Sequence, residues 1–252
     1  MASITTGLVF LVVALIPTYL FVQARGATQA VGSTERVSTA TVTDGTVAVS
    51  GTVEAGPAGV LTHPVTGADA LAVRWDVDER DVDEDAVAEV DDSGRQTVPF
   101  RLVDDDGAVD VDPTGADLHL STTHGETFVD QMRTPGEQAT TFIDCVQENE
   151  RRSHDAGTTQ VHNTPINEAR VHGVDDLHYQ SRALQPGDTG YVLGYAQQND
   201  DGTDTIGDGG GEFIVSDMTR DELTADLGTN QWLLVGVALL FYAIAVYVGF
   251  LA

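Results

Sequence analysis

Apolar residues along this chain follow two patterns. From Ile4 to Val22 and again from Trp232 to Ala252 they run on without a charge, and between those runs they mostly alternate with polar residues at every second position. The second run, WLLVGVALLFYAIAVYVGFLA, makes a helix of roughly 31 Å at about 1.5 Å per residue, close to the thickness of a bilayer's hydrocarbon core. It has no polar face, which a helix of a soluble core normally keeps. The first run, ITTGLVFLVVALIPTYLFV, is also long enough to span, and a membrane helix tolerates a kink at Pro17. The competing reading, a secretory signal cut near Val22-Gln23-Ala24, wants a basic start that Met1 to Thr6 does not supply.

The chain is thus expected to carry two transmembrane helices, residues 1–25 and 231–252, and to sit in a cell membrane as a two-span protein. Both termini would share one side and the residues between them the other. A single Arg25 after the first span leaves the orientation open.

Residues 26–39 read as a small-residue linker, and 40–230 as one domain. Val47, Val49 and Val53 alternate around Gly51, which predicts a strand with a bulge or a close backbone approach. Leu71, Val73, Trp75 and Val77 alternate again after the turn-like His63-Pro-Val-Thr-Gly67. Val98–Val103 and Ala108–Val111 flank Asp104-Asp-Asp-Gly107, a hairpin signal. From Leu118 to Asp188 the pattern weakens, and Glu148–Leu177 reads as a long loop or surface helices. Tyr191–Gln197 and Glu212–Ser216 read as strands joined by a flexible turn over 199–211. Asp217 is placed to cap a short helix ending at Gly228. The fold expected is mainly β, a barrel or sandwich with a few short helices, between the two spans.

Charge changes the setting. The net charge is −28, from 28 Asp and 12 Glu against 12 basic residues, all of them Arg. The acid is spread along the chain and not gathered in a tail. This points to adaptation to molar salt, where a Debye length of about 3 Å screens the self-repulsion. It also excludes nucleic acid as a partner, because no basic patch is visible to neutralise phosphates.

Candidate chemistry is thin. Asp81-Val-Asp83-Glu-Asp85 begins like a calcium loop but places Ala86 where Gly is needed and Asp92 where Glu is needed. His162, His172 and His178 lie near Glu150, Asp155 and Asp176 without a helical ligand spacing. Cys145 is the only cysteine, so neither a disulfide nor a thiolate zinc cluster can form within these residues. There is no Gly-x-Ser-x-Gly elbow, and the glycines over 207–211 lack the Lys-Ser/Thr ending of a phosphate loop. No catalytic, cofactor-binding or metal-binding residue is assigned, and no cofactor is expected.

The segment Val98-Pro-Phe-Arg-Leu-Val-Asp-Asp-Asp-Gly-Ala-Val-Asp-Val-Asp112 resembles the GIDE domain, also called the BAM (beside a membrane) domain, known from mitochondrial membrane E3 ubiquitin ligases. Pro99, Phe100, Leu102, Asp105, Gly107, Val109 and Val111 carry the likeness. Val49, Gly51 and Val53, the Pro64–Gly67 turn and Trp75 precede them in the family's order. Leu184 and Gly187, Val192 and Gly194, and Phe213 and Ser216 follow. Two departures stand out: Tyr179, Gln180 and Ser181 occupy a place that is often acidic, and the zinc RING that follows the last span in the ligases is not expected here, where Cys145 is the only cysteine.

The resemblance implies a membrane-side domain; with one cysteine, the ligase's zinc chemistry is not expected to carry over. The expected function is a non-catalytic binding or scaffold module beside the bilayer, with lipid and an unknown protein as partners. A recognition component of a ubiquitin-like transferase system and an acidic cation-binding sensor are the alternatives.

Overall fold

The computed structural model describes residues 2–64, 66–79, 89–121, 144–149, 151, 162–163, 177–199 and 204–247. They divide into two compact units. Residues up to 34 and from 220 onward form one, and Glu35–Thr219 the other.

The first unit is a pair of helices, α1 (Ala2–Ser33) and α2 (Arg220–Val246). They run antiparallel: Thr18 Oγ1 lies 3.4 Å from the Tyr242 hydroxyl, and Arg220 reaches the far end of α1. Arg220 Nε donates to the Val31 carbonyl at 2.9 Å, and its Nη2 donates to the Gly32 carbonyl. Helix C-terminal carbonyls have no partner within their own helix, and a cation suits the negative end of the macrodipole. One arginine therefore closes α1 and starts α2.

The helix continues through Gly26–Ser33, expected as part of a 26–39 linker, because Ala27 and Ala30 favour it and Val31 is buried. Gly228 does not end α2 either, since a lone interior glycine costs only about 1 kcal/mol. Among the described residues no helix is long and apolar enough to cross a membrane. Both apolar runs include positions whose side chains are not described.

The second unit is built on a closed barrel of five strands: β1 (Gly45–Ala55), β6 (Phe100–Val103), β7 (Ala108–Val111), β11 (Thr189–Gln198) and β12 (Asp204–Gly207). β1 pairs antiparallel with β11 over Gly45–Thr52 and with β6 over Thr52–Ala55. The ring continues β6–β7 antiparallel, β7–β12 parallel and β12–β11 antiparallel. In chain order the barrel strands lie first, second, third, fifth, fourth, and back to the first. This is the Greek-key arrangement of the five-stranded OB-type barrel.

β1 serves two partners, passing from β11 to β6 at Gly51–Thr52, where the backbones come close. A Cβ on Gly51 would stand 2.3 Å from the carbonyl oxygen of Val103, so only glycine permits the approach. Val47, Val49, Val53, Phe100, Leu102, Val109, Val111, Val192 and Ile206 fill the interior. Each such side chain contributes about 1.5–3 kcal/mol by leaving water.

The connections after the first and third barrel strands are long, and together they build a second sheet. β4 (Ala72–Glu79) and β5 (Glu89–Thr97) come from the first connection; β9 (His162–Asn163) and β10 (Leu177–Leu184) come from the second. The order is β10-β4-β5-β9, all antiparallel. Its inner face buries Val73, Trp75, Ser181, Ala183 and Gln96. β2 (Leu61–Thr62) pairs with β3 (Asp69–Ala70), while β8 (Asp117–His119) and β13 (Ile214–Ser216) extend the barrel sheet beyond β11.

Strands β1, β4, β6, β7, β11 and β13 fall where alternation placed them. β12 does not, because Ile206 is its only large apolar residue. β10 was hidden because its inward residues near the barrel are the small Ser181 and Ala183.

Candidate functional site

The most chemically suggestive cluster lies under the short helix at 144–149. The β2–β3 hairpin places His63 at its turn, closed by His63 N donating to Ala68 O at 2.8 Å and Gly67 N to His63 O at 2.9 Å. His63 is 1% exposed, and its Nε2 lies 3.3 Å from Ser181 Oγ on β10. A histidine beside a serine invites comparison with a nucleophile and its base. The wiring argues otherwise. His63 Nδ1 accepts the backbone N–H of Thr66 at 3.1 Å, so the neutral ring carries its proton on Nε2 and donates it to Ser181. A general base would have to accept from the serine at that atom. Burial further holds the His63 pKa below its ordinary value.

Beside this pair lies an amide network. Asn149 Nδ2 donates to the Thr62 carbonyl at 2.8 Å and to Gln96 Oε1 at 2.9 Å, and Asn149 Oδ1 accepts from Thr62 N at 3.1 Å. Gln96 Nε2 donates to Val146 O at 2.9 Å, and Cys145 Sγ lies 3.4 Å from Thr62 O. The network fastens the 144–149 helix to the β2–β3 hairpin and to β5. Its chemistry is that of a buried tie.

Two carboxylates do similar work. Asp104 accepts from Thr39 Oγ1 at 2.5 Å, Thr39 N at 2.8 Å, Asp106 N at 2.9 Å and Gly107 N at 3.0 Å. The Thr39 hydroxyl and amide, with the two turn amides, hold its pKa down at about 2. Asp217 accepts from Ser121 N at 2.6 Å and Ser121 Oγ at 2.7 Å, which joins the end of β8 to the end of β13. It is engaged there, not as the cap of α2.

Those of the residues weighed for metal that are described do not assemble. Among the described residues no group of three His, Cys, Asp or Glu side chains could hold an ion. The start of the calcium-like loop, His172, Glu150, Asp155 and Asp176 lie outside the described residues, and Asp92 belongs to β5. His162 lies in β9 and His178 in β10, two strands of one sheet that do not pair with each other. The glycines after β12 are turn residues: a Cβ on Gly209 would stand 2.3 Å from Tyr195 Cβ, and Gly210 has a φ of +80°.

The residues that carry the family likeness have a common fate. Val49, Val53, Trp75, Phe100, Leu102, Val109, Val111, Leu184, Val192 and Phe213 are all buried. Gly51 and Gly194 admit close neighbours, while Gly67 and Gly187 take positive φ at turns. Ser216 Oγ donates to His119 O at 2.6 Å and accepts from Met218 N at 3.0 Å. The hairpin turn is held by Asp104, not by the matched Asp105. A family model described as GIDE, E3 ubiquitin ligase, matches residues 87–249. The chain belongs to the GIDE family. The matched span runs from just before β5 through α2. No curated protein and no solved structure matches the chain.

One grouping has no signal in the sequence. Strand register sets Arg182, Arg74 and Arg95 directly abreast on β10, β4 and β5. They are 108 residues apart in sequence at the extremes, and no local motif announces them.

Proposed function

We propose that the chain is a membrane-anchored binding or scaffold module of the GIDE family, without catalytic chemistry of its own. What carries the reading is the use made of the family's residues: those of its pattern build a barrel and its turns, and the His63–Ser181 pair is sealed and oriented against base catalysis. The single cysteine in these residues is too few for the paired ligands of a zinc RING.

Support for the bilayer comes from exposed apolar side chains. Leu11, Val12, Leu15, Ile16, Tyr19 and Val22 of α1 are exposed, as are Leu239, Leu240 and Val246 of α2 and Tyr247 just beyond it. Apolar surface on that scale marks a membrane or a partner. Against nucleic acid stands the outer surface of β6 and β7, the face OB-type barrels commonly use. There Arg101 is paired with Asp110 at 3.1 Å, beside the acidic turn 104–106.

A second reading, substrate recognition for a ubiquitin-like transferase, is favoured by the family's description alone. Crosslinking in intact membranes at molar salt, followed by identification of the captured protein, tests both. A consistent non-enzymatic partner supports the module; a ubiquitin-like protein or its activating enzyme supports the second reading. Recovery of the chain from the soluble fraction with no crosslinked partner would sink the proposal.

A further inference from the structure

The tie around His63 holds together in one protonation state only. Thr62, the residue before it, is clamped from two sides. Its partner on β3 is Asp69, while Asn149 accepts its N–H at 3.1 Å and donates to its carbonyl at 2.8 Å. Cys145 Sγ donates to the same carbonyl at 3.4 Å. The turn that follows closes on His63: its N–H donates to Ala68 O, its carbonyl accepts from Gly67 N, and its Nδ1 accepts from Thr66 N at 3.1 Å. The 144–149 helix is thus fastened to this hairpin, and separately to β5 through Gln96.

A proton on Nδ1 breaks the turn. The ring then presents an N–H to the Thr66 N–H, and two donors face each other at a buried position. The carbonyl of His63 can take the new proton, but the Thr66 N–H still loses its acceptor. Ser181 Oγ, 3.3 Å from Nε2, accepts from the neutral and the charged ring alike, so that side does not sense the change. Around the ring, Asp69 of β3 and Asp144 of the short helix are exposed, and Glu148 pairs with Arg151. Arg182 of β10 and Arg74 and Asp76 of β4 alternate onto the face away from Ser181 and Trp75. Burial, against a smaller pull from its own carbonyl, holds the His63 pKa below 6.5. An opened hairpin returns the ring to water and to its ordinary value.

We infer that the β2–β3 hairpin is a latch that acid releases from the 144–149 helix, with His63 as its proton-sensing residue. Opening uncovers Leu61 and Ala70, which the closed hairpin buries, and parts the Cys145 thiol from the Thr62 carbonyl. The ring is neutral in the closed form, so closure is complete above about pH 6.5 and weakens as pH falls below it. Between about pH 7.5 and pH 5.5 the open fraction grows about tenfold, because only the open form takes up the proton freely. The inference stands apart from the binding-module reading.

Hydrogen–deuterium exchange of the full chain tests it, in phosphatidylcholine discs and molar KCl, at those two pH values. Rates are read by mass spectrometry and corrected for the intrinsic effect of pH on exchange. Both values lie above the ordinary carboxylate range, so the acidic surface stays charged. Exchange over residues 61–70 should quicken about tenfold at the lower pH, with β1, β6 and β7 unchanged. Cys145 should also react faster with dithiodipyridine, measured against free cysteine at the same pH. His63→Asn keeps an acceptor at the place of Nδ1 and cannot gain a proton, so both responses should vanish. Ser181→Ala should retain them. Equal corrected exchange at the two pH values, an unchanged Cys145 rate, a response that survives in His63→Asn or disappears in Ser181→Ala, or quickening spread evenly over the barrel would each overturn the inference. If His63→Asn does not fold, the contrast between hairpin and barrel in the parent and in Ser181→Ala still decides it.

Discussion

Replacing Gly51 by alanine tests the account of the barrel most directly. The added Cβ would stand 2.3 Å from the Val103 carbonyl oxygen, 2.8 Å from its carbonyl carbon and 3.3 Å from its nitrogen. All three atoms are backbone, so no side chain can swing away. Relief requires the strands to part by about 1 Å where β1 passes from β11 to β6, beside the Thr52–Val103 pair. Overpacking of this kind costs about 1–3 kcal/mol, and each ladder hydrogen bond lost adds about 1 kcal/mol. A total near 3 kcal/mol is expected, which lowers the melting temperature of a chain this size by roughly 6–12 °C. Thermal unfolding in molar salt, followed by circular dichroism, measures it. Gly228→Ala is the paired control: nothing lies within 4 Å of its added Cβ, and an interior helical position gains about 0.4–1 kcal/mol. If Gly51→Ala unfolds within about 0.5 kcal/mol of the parent, the close approach of β1 to β6 does not depend on glycine and the closure argument fails.

Three further outcomes follow from the same contacts. Asn149→Leu removes three hydrogen bonds and leaves Gln96 and Thr62 groups without their partner, so a loss of about 3 kcal/mol is expected from denaturant midpoints. Two groups make stability fall with acid. His63 has a lowered folded pKa, so its contribution is complete above about 6.5 and declines as pH drops below that; His63→Gln should flatten the upper part of an acid melting profile. Asp104 is held at about 2, so its contribution is present above the ordinary carboxylate value near 3.8 and is lost as pH falls towards 2. Asp104→Asn should flatten that lower part alone. Finally, the purified chain should melt at a lower temperature in 0.1 M salt than in molar salt, because a Debye length of about 10 Å leaves the acidic surface unscreened; equal melting in both would contradict the charge argument.

Some of this molecule is written locally. Alternation at Val47–Val53, Leu71–Val77 and Val98–Val111 marks strands because one face of each must leave water, and that demand has a period of two wherever the strand lies. Uncharged runs near both ends mark helices for a related reason, and one cysteine bounds the metal chemistry at once. The family pattern was legible too, since core residues and turn glycines recur in order along the chain.

Tertiary structure decided what depends on partners distant in sequence. The barrel closes because β11 returns to β1, a pairing that joins Val47 to Gly194 and that no local period encodes. Strand β10 is a strand because its backbone pairs with β4 over Leu177–Leu184, which sets Ser181 opposite Trp75. His63 looked like one more polar turn residue, and its burial and its tautomer come from Ser181 and Thr66. The arginines of β10, β4 and β5 appeared as scattered charges in an acidic chain. Only the register of a sheet made from two separate connections sets them abreast, because hydrogen-bonded strands align residues by pairing and not by sequence distance.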